Sequence, residues 1–164
     1  MRPARFEQIL KSLLEQGGAA KGVETVKEAG HDRHPYGLVV TFPTGARALL
    51  QIVVTSADGD KFDQPEQIIE GDAPNPVEPV EPFDGGRVKL DLVDRHIAAL
   101  VLNSGSKEVA SAEAFSTREK PGAVRYGVKI AYHDTSRIYV YVVQALPAGR
   151  DWTRGADFDV PAAV

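Results

Sequence analysis

The stretch Tyr36-Gly37-Leu38-Val39-Val40-Thr41-Phe42 has a near copy in Tyr126-Gly127-Val128-Lys129-Ile130-Ala131-Tyr132, and nothing else in the chain narrows its fold as much. In each copy apolar residues recur at every second position, Leu38, Val40 and Phe42 in one, Val128 and Ile130 in the other. That is the signature of a strand with one covered face. Each then crosses a short turn-forming segment, Pro43-Thr44-Gly45 or His133-Asp134-Thr135-Ser136, into a β-branched run that opens near an arginine, Arg47 or Arg137. Two β-hairpins are expected. At an offset of 90 residues, the distance from Tyr36 to Tyr126, the residues Tyr36, Gly37, Arg47 and Val53 fall on Tyr126, Gly127, Arg137 and Val143. Leu38, Val40 and Ile52 fall on Val128, Ile130 and Val142. Period-two alternation by itself forces apolar residues into matching slots, so an internal repeat and two unrelated hairpins both fit this match.

An amphipathic helix precedes each hairpin. Phe6, Ile9, Leu10, Leu13 and Leu14 follow the spacing of one helical face, with Pro3 suited to the first turn and Gly17 to the end. Val93, Ile97, Leu100, Val101 and Ser104 trace a second such face, which ends at Gly105 as a left-handed cap. Between helix and hairpin, Gly22 to Gly30 fits a short strand or a helical turn and is read as a strand, because Val23, Thr25 and Lys27 alternate, while Glu108 to Ser116 alternates weakly. The expected class is α+β, two amphipathic helices packed on antiparallel sheet, with an α-β-β-β unit used twice. The chain reads as a single domain over residues 1–164, with halves 1–56 and 87–146, an acidic Pro-rich loop 57–86 and a C-terminal arm 147–164.

Charge is concentrated in that loop. The net charge is −4, yet Asp58 to Asp94 carries eleven acids against three bases, which leaves the remainder basic. Pro, Gly, Asp and Glu at this density describe a surface loop rather than a packed element, and its apolar pair Ile68-Ile69 is expected to dock locally. Cysteine is absent, which removes disulfides, thiolate metal sites and cysteine nucleophiles. The opening residues lack the apolar core of a signal peptide and no run reaches membrane-spanning length, so a cytoplasmic location and no membrane partner are expected.

Chemistry-bearing patterns fail one by one. His31-Asp32-Arg33-His34 offers two imidazoles and a carboxylate, but in a turn before Pro35, where a solvated loop is the expectation and a third ligand is missing. The acids of Asp58 to Asp63 lack calcium-loop spacing, and Asn103-Ser104-Gly105-Ser106 ends a helix instead of forming a nucleophile elbow. Gly17-Gly18 follows a helix, so it is not a phosphate loop. His96 is expected at the edge of the core. No catalytic residue, metal ligand or cofactor is assigned.

The order helix, three strands, helix, strand resembles the core of the restriction-endonuclease-like nucleases, a family in which an acid on the second strand and an E-x-K on the third hold a divalent metal. Where that motif would fall, this chain has Gln51-Ile52-Val53, and Leu38 to Phe42 contains no acid. The resemblance therefore implies at most a scaffold without metal-dependent hydrolysis.

One surface stands out. With Val128, Ile130, Ile138, Val140 and Val142 facing the core, alternation turns Arg125, Lys129, Arg137, Tyr139 and Tyr141 to the opposite face. Such a basic, aromatic face suits a protein partner, and suits single-stranded nucleic acid less because the acidic loop opposes a polyanion. Trp152 and Phe158 mark the C-terminal arm as a docking segment. The expected function is a non-enzymatic interaction or assembly subunit, self-associating or bound to another protein, for which a phage virion or mobile element is one setting. The alternative is a nucleic-acid-associated protein on the nuclease-like scaffold.

Overall fold

The computed structural model describes residues 1–153 and 156–164. Helix α1 (Pro3–Gln16) leads into strands β1 (Gly22–Thr25), β2 (Gly37–Thr41) and β3 (Arg47–Thr55). A two-residue ribbon, β4 (Phe83–Asp84) with β5 (Arg87–Val88), then precedes helix α2 (Leu90–Asn103) and strands β6 (Val109–Ala114), β7 (Gly127–Tyr132) and β8 (Arg137–Leu146). The six longer strands form one antiparallel sheet in the order β1-β2-β3-β8-β7-β6, so both hairpins share it and meet where β3 pairs with β8. The class is α+β, as the periodicities predict.

The two halves are related by an approximate twofold axis. Across the centre Leu50 pairs with Val142, Gln51 with Tyr141 and Ile52 with Val140. Gln51 and Tyr141 are counterparts at the 90-residue offset, so the axis passes through their pair. Gly37 pairs with Gln51 and Gly127 with Tyr141. The Ile52 N–H donates to the Tyr36 carbonyl at 3.0 Å and the Val142 N–H to the Tyr126 carbonyl at 3.1 Å. Both glycines are needed for the same reason. A Cβ on Gly37 would stand 2.2 Å from the Leu50 carbonyl oxygen, and one on Gly127 would stand 2.5 Å from that of Val140. The repeated Tyr-Gly is a close backbone approach used twice.

The helices are equal in length, 14 residues each, and lie on one face of the sheet. Phe6, Leu10 and Leu14 of α1 and Leu90, Val93, Ile97 and Val101 of α2 are buried against Leu38, Val40, Leu50, Ile52, Val128, Ile130, Ile138, Val140 and Val142 in one continuous core. Each such side chain contributes about 1.5–3 kcal/mol by leaving water. Ile9, Leu13 and Leu100 are half-buried at its rim, and Ser104 is exposed as the C-cap of α2. The left-handed residue after α1 is Gly18 (φ 74°), not Gly17, matching Gly105 (φ 70°) after α2. Gly17 is the C-cap of α1, as its position suggests, with its N–H bonded to the Leu13 carbonyl at 2.9 Å, and a Cβ there would meet Leu100 at 3.0 Å.

Residues 57–86 form an extended strap over the helical layer, held by side chains it passes. Arg2 binds Asp60 at 2.9 Å, and Arg5 bridges Glu66 and Glu108 at 2.9 and 2.6 Å. Asn103 exchanges two hydrogen bonds with the backbone of Val77, and Nδ1 of His96 meets the Val80 carbonyl at 2.5 Å. The strap explains why α2 is covered on more sides than an amphipathic surface helix. Ile68 and Ile69 do not dock, contrary to expectation: they are 59% and 47% exposed, because the strap is pinned through its polar and backbone groups.

Candidate interaction surface

The opposite sheet face carries the second set of side chains that alternation produces, and its two halves differ. Over the first half the C-terminal arm lies on Val26, Val39 and Leu49, joined by Val143 of β8. A β-bulge makes this possible. Leu50 pairs with Val142 but Leu49 pairs with Gln144, which leaves Val143 as the extra residue. The bulge turns Val143 outward and frees its carbonyl, which accepts the Phe158 N–H at 2.7 Å. The Gln144 side-chain amide donates to the Thr153 carbonyl at 2.9 Å and to Asp157 at 2.6 Å. Trp152 sits beneath the Arg47 guanidinium, 4.8 Å from it, and meets the His31 ring edge-on at 5.4 Å.

The His31 to His34 turn is therefore partly covered by the arm rather than wholly solvated: His31, Arg33 and His34 are half-buried and Asp32 is exposed. Arg33 and His34 reach Asp157 at 3.1 and 3.5 Å. Burial pushes the His31 imidazole below its ordinary range, and the neighbouring Arg33 and His34 add to the effect. No group of three or more His, Asp or Glu among the described residues is placed to hold a metal ion.

Over the second half the outer face is open. Tyr139 and Tyr141 stack with ring centroids 5.9 Å apart and planes 18° from parallel. In register across the sheet, Val53, Tyr139, Lys129 and Glu113 form one row and Thr55, Arg137 and Ala131 the next. Tyr141 is flanked by Phe115 at 5.9 Å and by Phe158 at 6.2 Å. Burial raises the Tyr141 phenol above its usual range, and Tyr139 beside it acts in the same direction, so the Tyr141 ring is neutral at physiological pH. Arg118 lies 3.7 Å over Phe115 and bonds Glu113 at 3.1 Å. Lys129 and Arg137 form no salt bridge among the described residues, and Arg137 is exposed.

Of the residues singled out from sequence, the structure brings Lys129, Arg137, Tyr139 and Tyr141 together and sets Phe158 at their margin. Arg125 stands apart. It precedes β7, and its guanidinium lies 5.0 Å over the ring of Tyr126, which belongs to the core on the helical side. Trp152 docks on the first half, and its neighbours Arg154 and Gly155 in the arm lie outside the described residues. Alternation missed Val53, Phe115 and Arg118, since their nearness to the tyrosines follows from the pairing of β3 with β8 and from the 3₁₀ turn at Phe115–Thr117.

The buried carboxylates off this face are engaged in holding the fold. Asp94 is fully buried and accepts from the Ser116 hydroxyl at 2.6 Å and from the N–H groups of Ser116 and Gly127 at 3.0 and 3.3 Å. Burial raises its pKa despite those bonds. Asp134 is pushed up by burial, but the Met1 ammonium and Ser136 outweigh that and hold it below the usual range. A cavity of about 250 Å³ beside Met1 and Asp134 is lined mainly by strap residues. At the place of the nuclease motif, Gln51 sits at the centre of the outer face, Ile52 is in the core and Val53 is exposed, with no carboxylate among them. No helix of the described residues is long and apolar enough to cross a membrane. The chain matches no protein-family model, no curated protein and no solved structure.

Proposed function

We propose that this chain is a non-enzymatic interaction subunit that presents the open half of its outer sheet face to a protein partner. One observation carries the reading. At the 90-residue offset, Val39, Leu49 and Arg47, against which the arm packs, correspond to Lys129, Tyr139 and Arg137, of which the first two are half-buried and the third exposed. The same framework thus has one occupied and one vacant docking position. The vacant one carries a stacked tyrosine pair and Arg137, residue types that dominate binding energy at protein interfaces, with Lys129 beside them, and neither base forms a salt bridge among the described residues. The engagement of Asp94, Asp134 and His96 in structural bonds supports a role in contact rather than in bond-making.

Affinity capture from cells that express the chain tests this, with wild type compared to Tyr139→Ala. A protein retained by wild type and lost from the variant is the expected result, and equal recovery by both refutes the assignment. A second reading, association with single-stranded nucleic acid, draws on the same stacked tyrosines beside Lys129 and Arg137. It requires salt-sensitive binding that weakens on Lys129→Ala, and the absence of any mobility shift at low salt ends it.

A further inference from the structure

The exposed large apolar side chains of the described residues fall into two groups. Val53 and Phe158, 36% and 47% exposed, border the open sheet face. Phe62, Ile68, Ile69 and Val77, between 42% and 61% exposed, all lie on the strap. The groups differ in charge. Lys129 and Arg137 accompany the first, with Asp159 next to Phe158, whereas Asp63, Glu70, Asp72, Glu78 and Glu81 accompany the second, where Lys61 is the only base of the strap; none of these forms a salt bridge among the described residues. Apolar residues ringed by opposite charge on two surfaces of one molecule are complementary patches.

Within one molecule the apolar strap side chains stay exposed and do not cover the open face. The strap is fastened to Arg2, Arg5, His96 and Asn103 on the helical side and to His133 and Thr135 at the β7–β8 turn. We propose that the partner is a second copy of this chain, whose strap lays Phe62, Ile68 and Ile69 on the Tyr139–Tyr141 face in head-to-tail order. The inference rests on the interaction reading and names its partner. The first half shows the intended form of contact: Trp152 enters under Arg47 above Val39 and Leu49, and an apolar side chain from the neighbour enters under Arg137 above Lys129 and Tyr139. Because different surfaces meet, the contact is heterologous and propagates into a ring or an open filament.

Sedimentation of the purified full chain at low and raised salt, with two variants, tests it. Wild type is expected to grow in mass with concentration at low salt and to return toward monomer as salt screens the charged rims. The strap variant Ile68→Asp with Ile69→Asp and the face variant Lys129→Glu with Arg137→Glu are each expected to remain monomeric alone. Mixed, they form a dimer that stops at 1:1, since each retains the surface the other lacks. Arg137→Glu alone, at an exposed site, serves if the double face variant loses its folded circular dichroism. Wild type that stays monomeric, assembly untouched by both variants, or a mixture that forms no dimer overturns the proposal. A monomer that still captures another protein through Tyr139 overturns self-association and leaves the interaction reading standing, whereas one that captures none ends both.

Discussion

The first half of the molecule and the second share a backbone plan and differ in what covers it. Each helix sends a carboxylate to the glycine of its own hairpin: Glu7 accepts the Gly37 N–H at 2.8 Å, and Asp94 accepts the Gly127 N–H at 3.3 Å. Each hairpin closes by the same bonds, from Gly45 to Phe42 in one and from Thr135 to Tyr132 in the other. Yet Glu7 is half-buried with one such bond while Asp94 is fully buried with several, and Trp152 covers the outer face of the first half while only Phe158 of the arm reaches the margin of the second. The shared features are those that sheet and helix packing demand. The differences lie in residues free to vary once that demand is met, and so they mark where function is sought.

Removing the two carboxylates should separate the halves most strongly. Asp94→Ala leaves two backbone N–H groups unsatisfied inside the protein and is expected to cost about 4 kcal/mol, against about 1 kcal/mol for Glu7→Ala. Urea unfolding of both variants measures this, and equal losses would show that the second half is not the more dependent on its buried acid. The glycines should behave alike. Gly37→Ala and Gly127→Ala each force a Cβ onto a carbonyl oxygen, and each should cost about 3 kcal/mol. A harmless substitution at either site would break the equivalence of the two hairpins.

The turns offer a finer contrast. Thr135 holds a left-handed backbone (φ 73°) where its counterpart is Gly45 (φ 83°). A β-branched residue is strained there, so Thr135→Gly should raise stability by about 1 kcal/mol despite losing the bond from the Asp58 N–H at 3.1 Å. A lower melting temperature would mean that this bond outweighs the strain.

The smallest effect concerns the arm. The folded-state pKa of His31 is depressed, so below the ordinary histidine range of about 6.5 the unfolded chain binds more protons, and docking of the arm weakens as pH falls through that range. Trp152 is the only tryptophan and sits on His31, so its fluorescence should shift toward the solvent-exposed value as the solution is acidified. The shift should vanish in His31→Phe, and a pH-independent spectrum in wild type would contradict the linkage.

The repeated Tyr-Gly and the period-two alternation made the hairpins readable, and the 3.6-residue spacing did the same for both helices. The equivalent place of a helix before each hairpin was readable too, but not the residue-by-residue match, because the helices correspond at a shorter spacing, Pro3 with Leu90 and Glu7 with Asp94, than the hairpins do. The outward direction of Lys129, Arg137, Tyr139 and Tyr141 follows from alternation. The partial cover of the His31 turn and the exposure of Ile68 and Ile69 do not, because each depends on where a distant segment runs.

Local periodicity determined which residues face the core and which segments become helix or strand, since backbone geometry alone enforces those repeats. Tertiary structure decided that β3 meets β8 about a near-twofold axis, that a bulge at Val143 seats the arm over one half, and that the other half stays open. Those outcomes rest on pairings between residues far apart in sequence. Their free energies come from mutual burial and from hydrogen bonds that exist only once both partners are in place.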